Sequence, residues 1–311
     1  MSATSKRYEF KMGMYLGELQ QPFEQSLGTA RDIGAKYVWC GNYSQNQMMC
    51  ELPDKDLDKA VEQVAAHNLE IFLLDGGGLL KGVHLAELQP GKMLEHEKFK
   101  QELDTLERSM EVSSRLGVGA VSCCSFAWPA EYTAGKPTWP MRWATRGGII
   151  SDGDMEKLVE ALSMVADLAE KYDIDVAFLM MQWNFGNTSR NFRRIAEAVG
   201  SRRFKALWCP ADALNCGEAD NATAGFENLR PYLHGVHGKD MHTINGEKLE
   251  FEYLPIGEGD VDYPTILRNL RDNNCDVVLS IATHFSPPSG SKIEAMKTNY
   301  TNIRRLISEL D

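Results

Sequence analysis

The chain has 311 residues, 43% of them hydrophobic and 25% charged, a composition that excludes a disordered chain, a fibre and a disulfide miniprotein. With 33 Lys and Arg against 44 Asp and Glu the formal net charge is −11, which argues against nucleic acid and anionic membrane as partners, since clustered Lys and Arg bind phosphate. No run reaches the roughly 18 to 20 apolar residues that span a bilayer, and the seven cysteines, odd in number and without a Cys-x-x-Cys pair, read as reduced thiols of a cytoplasmic protein.

Short apolar runs alternate with amphipathic stretches eight times. Segment 9–18 predicts a first strand and 22–35 a helix. A second strand follows at 37–42, then Leu57, Val61 and Val64 at helical spacing. The third strand, 69–78, ends in glycines. The next helix carries Phe99, Leu103, Leu106 and Met110 on one side and stops near Gly117. The fourth strand is 119–126. Segment 155–172 is helical, with Leu158, Leu162, Val165 and Ala169 in a stripe. The fifth strand spans 175–182, the sixth 204–212, the seventh 233–240 and the eighth 276–284, each followed by a helical stretch. The last helix places Ile293, Met296, Tyr300, Ile303 and Ile307 three or four apart, on one face. Three Asn-x-Ser/Thr triplets, at Asn187, Asn221 and Asn299, read as chance without a secretion signal.

Eight βα units with nearly continuous apolar strands imply a parallel sheet, and over about 300 residues they fit a closed (β/α)8 TIM barrel of the α/β class in one domain, 1–311. An open doubly wound sheet would carry a glycine-rich phosphate turn after its first strand, and none is there. One connection is long, 127–154, and holds Trp128, Trp139 and Trp143. Such a loop over the strand C-termini suits a lid or an oligomer contact, and Arg142 within it suits a clamp on an anionic substrate group.

In a barrel of this kind chemistry sits at the strand C-termini, which here carry Glu18, Asn42, Asp75, Cys123, Ser125, Gln182, Trp183, Cys209, Asp212, His237, Lys239, Asp240, His242, Glu258 and His284. The segments LAEKYDIDVAFLMMQWNFGNT (168–188), WCPADALNCGE, VHGKD, GEGDVDYPTILRNL and LSIATHF resemble the xylose isomerase-like barrels. That superfamily holds sugar and sugar-phosphate isomerases and epimerases, inosose-processing enzymes and endonuclease IV. The resemblance covers the second half of the chain; the first half shares only the βα rhythm. It implies one divalent ion held by Glu, Asp, His and Glu at the ends of the last four strands, with the two Glu residues exchanging a proton.

By ungapped reading those four positions fall on Leu179, Cys209, His237 and Ala282. Leucine and alanine cannot coordinate a hard cation, so no cofactor is expected; the alternative is zinc on Cys209, His237 and His284, because Ala282 and His284 share a strand face. The expectation is therefore metal-free proton transfer on a sugar, keto-sugar or related small carbohydrate. His237 is its central catalytic residue with Glu258 and Asp240, and Trp183, Lys239, Asp212, His284 and Arg142 contact the substrate. The rival is a non-catalytic barrel that binds carbohydrate or serves as a subunit of a complex. A homo-oligomer is compatible with either.

Overall fold

The computed structural model describes residues 8–44, 47–77, 80–128, 148–245 and 250–310. Eight parallel strands close into a barrel: β1 Lys11–Tyr15, β2 Tyr37–Cys40, β3 Glu70–Asp75, β4 Ala120–Cys123, β5 Asp175–Leu179, β6 Phe204–Trp208, β7 Leu233–Gly238 and β8 Val278–Ile281. Each pairs with its neighbours in chain order, and β1 pairs with β8 in the register Gly13 to Ser280, which closes the cylinder. β4 and β8 are buried at every position, as strands covered on both faces must be, which explains why their residues are apolar apart from Ser122 and Ser280.

The returning helices are α1 Phe23–Ile33, α2 Asp54–Ala66, α3 Glu97–Leu116, α4 Asp152–Tyr172, α5 Ser189–Val199, the short α6 Pro210–Asn215 and α7 Phe226–Leu229, α8 Tyr263–Asp272 and α9 Lys292–Ser308. Gly117 ends α3 at φ +68°, a left-handed cap that glycine adopts without a Cβ penalty. Ser151, Thr188 and Ser291 each accept a backbone N–H at the start of a helix. Inside the cylinder Trp39, Leu73, Ala120, Ala177 and Leu207 form an apolar layer, with Tyr15 and Leu179 packed against it. Residues i and i+2 of a strand face alike, so Asp75 and Ser122 continue the inward faces of Leu73 and Ala120 toward the C-terminal mouth.

Two departures from the sequence expectation shape that mouth. The sixth strand stops at Trp208 because Pro210 opens α6, a position where its missing N–H costs nothing. After β7 the chain forms an antiparallel hairpin, Asp240–Asn245 with Glu250–Leu254, where no strand pair was expected. The three Asn-x-Ser/Thr asparagines are buried and donate to the carbonyls of Gln182, Pro210 and Ala282, so they brace loops. No described helix is long and apolar enough to cross a membrane.

The last helix is fastened to the first strand by the buried Tyr300 hydroxyl, which donates to the Gly13 carbonyl at 2.7 Å. Tyr300→Phe deletes that bond while keeping the ring. Denaturant titration should show a loss of about 1 kcal/mol with an unchanged m-value.

Candidate functional site

The site is built around β7. His237 faces into the barrel, and Lys239 follows it on the same side. The Lys239 main chain is fixed by Tyr263, whose hydroxyl donates to its carbonyl at 2.7 Å. Lys239 Nζ lies 2.9 Å from Asp212 Oδ2 on α6, with the two side chains 1% and 3% exposed. Burial opposes the ammonium charge, but Asp212 overcomes it and holds the Lys239 pKa above the ordinary value. Apart from this ion pair, neither Nζ nor Oδ2 has a hydrogen-bond partner among the described residues.

The 240–254 hairpin brings Tyr253 over this pair. Its ring centroid is 5.8 Å from Lys239 Nζ and 4.7 Å from the His284 ring. His284, just beyond β8, sets Nε2 3.5 Å from Glu18 Oε1, and Glu18 Oε2 accepts the Thr283 N–H at 3.3 Å. The Glu18, His237 and His284 ligand atoms all lie within 4.8 Å of one another. Burial, then the Lys239 charge, holds the His237 imidazole down at about 3; the same causes lower His284. Burial raises the Glu18 carboxyl above the usual range, with Lys239 pulling the other way.

Across the mouth, Trp39 meets the His237 ring edge-on at 5.7 Å and packs on Tyr15 at 4.4 Å. Tyr15 donates a long hydrogen bond, 3.5 Å, to Asp75 Oδ2, and Ser122 Oγ donates to Asp75 Oδ1 at 3.1 Å. Burial raises the Asp75 pKa against these hydrogen bonds. Gly41 lacks a side chain where a Cβ would come within 2.9 Å of the Asp75 carboxylate.

Two expected catalytic residues stand elsewhere. The Asp240 carboxylate accepts four backbone N–H groups, from Met241, Gly257, Gly259 and Val261, at 2.8 to 3.2 Å. It folds the 257–261 loop back onto the hairpin and has no lone pair to spare for a substrate proton. Glu258 is exposed and receives a hydrogen bond from Asn302 on α9, outside the histidine cluster. His237 is in the mouth, where burial and the Lys239 charge lower its pKa and so weaken it as a base.

The remaining residues divide as follows. Cys209 is fully buried, with Sγ 4.0 Å from the Leu207 carbonyl and a thiol pKa pushed far up by burial. Glu18 therefore takes the place expected for Cys209 beside the two histidines. Trp183 is buried with Cys124 and Ala127, its ring under Lys81 Nζ at 5.7 Å. Arg142, Trp139 and Trp143 lie outside the described residues. The positions where the resemblance requires Glu, Asp and Glu hold Leu179, Cys209 and Ala282. Two hydrocarbons and a protonated thiol do not fit a hard divalent cation there.

Tyr253 went unrecognised because the hairpin did, although Asn245-Gly246 between alternating apolar residues is a hairpin signal. Asp75 and Glu18 are visible as strand-end carboxylates; nothing local in the sequence pairs them with Tyr15 or His284.

A sequence model of the xylose isomerase-like TIM barrel matches residues 27–301, and the chain belongs to that family. An uncharacterised protein of Methanocaldococcus jannaschii is 23% identical over 248 residues, 74% of this chain and 80% of its own. Among solved structures, the IOLI protein with a binding zinc atom matches at a TM-score of 0.71 and 17% identity, over 97% of this chain and 99% of its own. L-ribulose 3-epimerase matches at 0.68 and 14%, over 97% and 96%. The likeness establishes a fold shared with sugar epimerases.

Lys239→Met strands the buried Asp212 carboxylate and should cost about 3–5 kcal/mol, whereas Lys239→Met with Asp212→Leu should regain most of that. Urea titration of both variants measures the difference.

Proposed function

We propose that the chain is an enzyme of the sugar isomerase and epimerase type, moving a proton beside the carbonyl of a small carbohydrate-like substrate without the family's four-ligand metal site. The observation that carries this reading is Lys239, a buried ammonium with one carboxylate contact at 2.9 Å and no further hydrogen-bond partner among the described residues. Lysine offers three donors, so some remain for a ligand oxygen. A proton leaving the carbon beside a carbonyl puts negative charge on that oxygen, and a fixed cation in a low-dielectric mouth stabilises it. Stability alone gives little reason for the pair, since apolar residues of similar volume serve as well or better. Asp212 is a positioning residue: it keeps Lys239 charged and aimed.

Asp75 is the group that moves the proton. It is partly exposed, faces inward at the end of β3, and carries a raised pKa that makes it a better base than an ordinary carboxylate. Tyr15 and Ser122 hold its two oxygens in place. The neutral His284 supplies a hydrogen-bonding group for substrate hydroxyls, and the acidic chain as a whole favours a sugar over a nucleic acid.

The test is solvent deuterium exchange. A panel of ketoses and keto-polyols incubated in heavy water with wild type should yield at least one compound that takes up deuterium beside its carbonyl, read by proton NMR. Asp75→Asn should slow that exchange about 10²- to 10⁴-fold. Saturable binding of a sugar with no exchange by any compound would instead support the non-catalytic, carbohydrate-binding barrel, and Asp75→Asn exchanging like wild type would remove the role given to Asp75.

A further inference from the structure

We propose that Glu18, His237 and His284 form a binding site for one divalent transition-metal ion, with zinc the best match. This goes beyond the sugar reading and does not depend on it. The set shares only His237 with the four positions the family resemblance implies, and lies between β1, β7 and β8.

Three observations carry the site. The candidate ligand atoms, one carboxylate oxygen and two imidazole nitrogens, lie within 4.8 Å of one another. A tetrahedral ion with bonds of about 2.1 Å holds its ligands about 3.4 Å apart. The Glu18 Oε1 to His284 Nε2 separation of 3.5 Å already matches that edge, and His237 offers its ligand atom within 4.8 Å of both. Next, His237 is 4% exposed, yet its Nδ1 has no hydrogen-bond partner among the described residues. A buried polar atom left unpaired is costly, and an ion bound through that nitrogen would relieve it. Finally, the side chains are held in place by their neighbours. Thr283 N–H holds the far oxygen of Glu18, Tyr253 packs against the His284 ring, and Trp39 meets the His237 ring edge-on.

The donor set selects the metal. Two imidazoles and one carboxylate suit zinc and its neighbours in the first transition row, whereas magnesium and calcium prefer oxygen throughout. Three protein ligands leave a fourth position for water or a substrate oxygen. The nearby Lys239 charge is offset by Asp212 at 2.9 Å, so the ion does not face an uncompensated cation.

The test reads metal binding with no substrate present, so failure of the sugar reading leaves it intact. Chelator-treated full-length protein titrated with zinc chloride in a calorimeter should bind one ion per chain. Glu18→Gln and His284→Ala should each weaken binding at least tenfold, while Cys209→Ser should bind like wild type. Circular dichroism checks that the variants are folded; the His284 side chain is 34% exposed, so its loss leaves little cavity. Cobalt in place of zinc should give ligand-field bands without a thiolate charge-transfer band. No saturable binding, unchanged affinity in both Glu18→Gln and His284→Ala, or a thiolate band that Cys209→Ser abolishes would each overturn the proposal.

Discussion

An ammonium group buried in a protein keeps its charge only when a carboxylate stands against it. At this barrel mouth that partner is Asp212, and Glu18, His237, Tyr253 and His284 respond to the cation it maintains. The Lys239 field helps keep His237 and His284 neutral and pulls against the burial that raises Glu18. Tyr253 lies against the same cation, and burial pushes its hydroxyl up to about 12 although Lys239 pulls it down. One pair thus organises a mouth in which the imidazoles are unprotonated and the fixed positive charge sits elsewhere.

The barrel supplies this arrangement through its register. Parallel strands alternate inward and outward residues, so His237 and Lys239 arrive together, and Asp75 and Ser122 arrive on the inward faces of neighbouring strands. The polar groups cluster toward β1, β3, β7 and β8. On the β5 side, Leu179 packs against the apolar interior layer. Leu179, Cys209 and Ala282 offer no hard oxygen ligand, while Glu18, His237 and His284 gather at the β1, β7 and β8 side of the mouth.

Much of the fold was legible because barrel strands and their helices are local, periodic objects. The eight apolar runs and the glycine at the end of α3 announce themselves. The site was less legible because its contacts join distant parts of the chain: Glu18 meets Thr283 and His284, and Tyr15 meets Asp75. Asp240 was misread for the same reason. An acidic residue beside a histidine and a lysine resembles a catalytic group until four backbone N–H groups, three of them from a distant loop, are seen to occupy it. Glu258 shares a loop with glycines that serve Asp240, and its own side chain faces solvent. The hairpin carrying Tyr253 had a readable turn signal but interrupts the βα rhythm, which drew attention from strand seven straight to the next helix.

The central claim is that a charged, buried Lys239 and the surrounding protein keep both site histidines neutral at physiological pH. Nitrogen-15 NMR of the imidazoles in chelator-treated wild type, followed from about pH 7 to about pH 5, reads this directly. Because both pKa values are depressed, with His237 held at about 3, the two rings should show neutral signals throughout while ordinary histidines gain protons near pH 6.5. An imidazolium signal from His237 or His284 at about pH 6 would contradict the account.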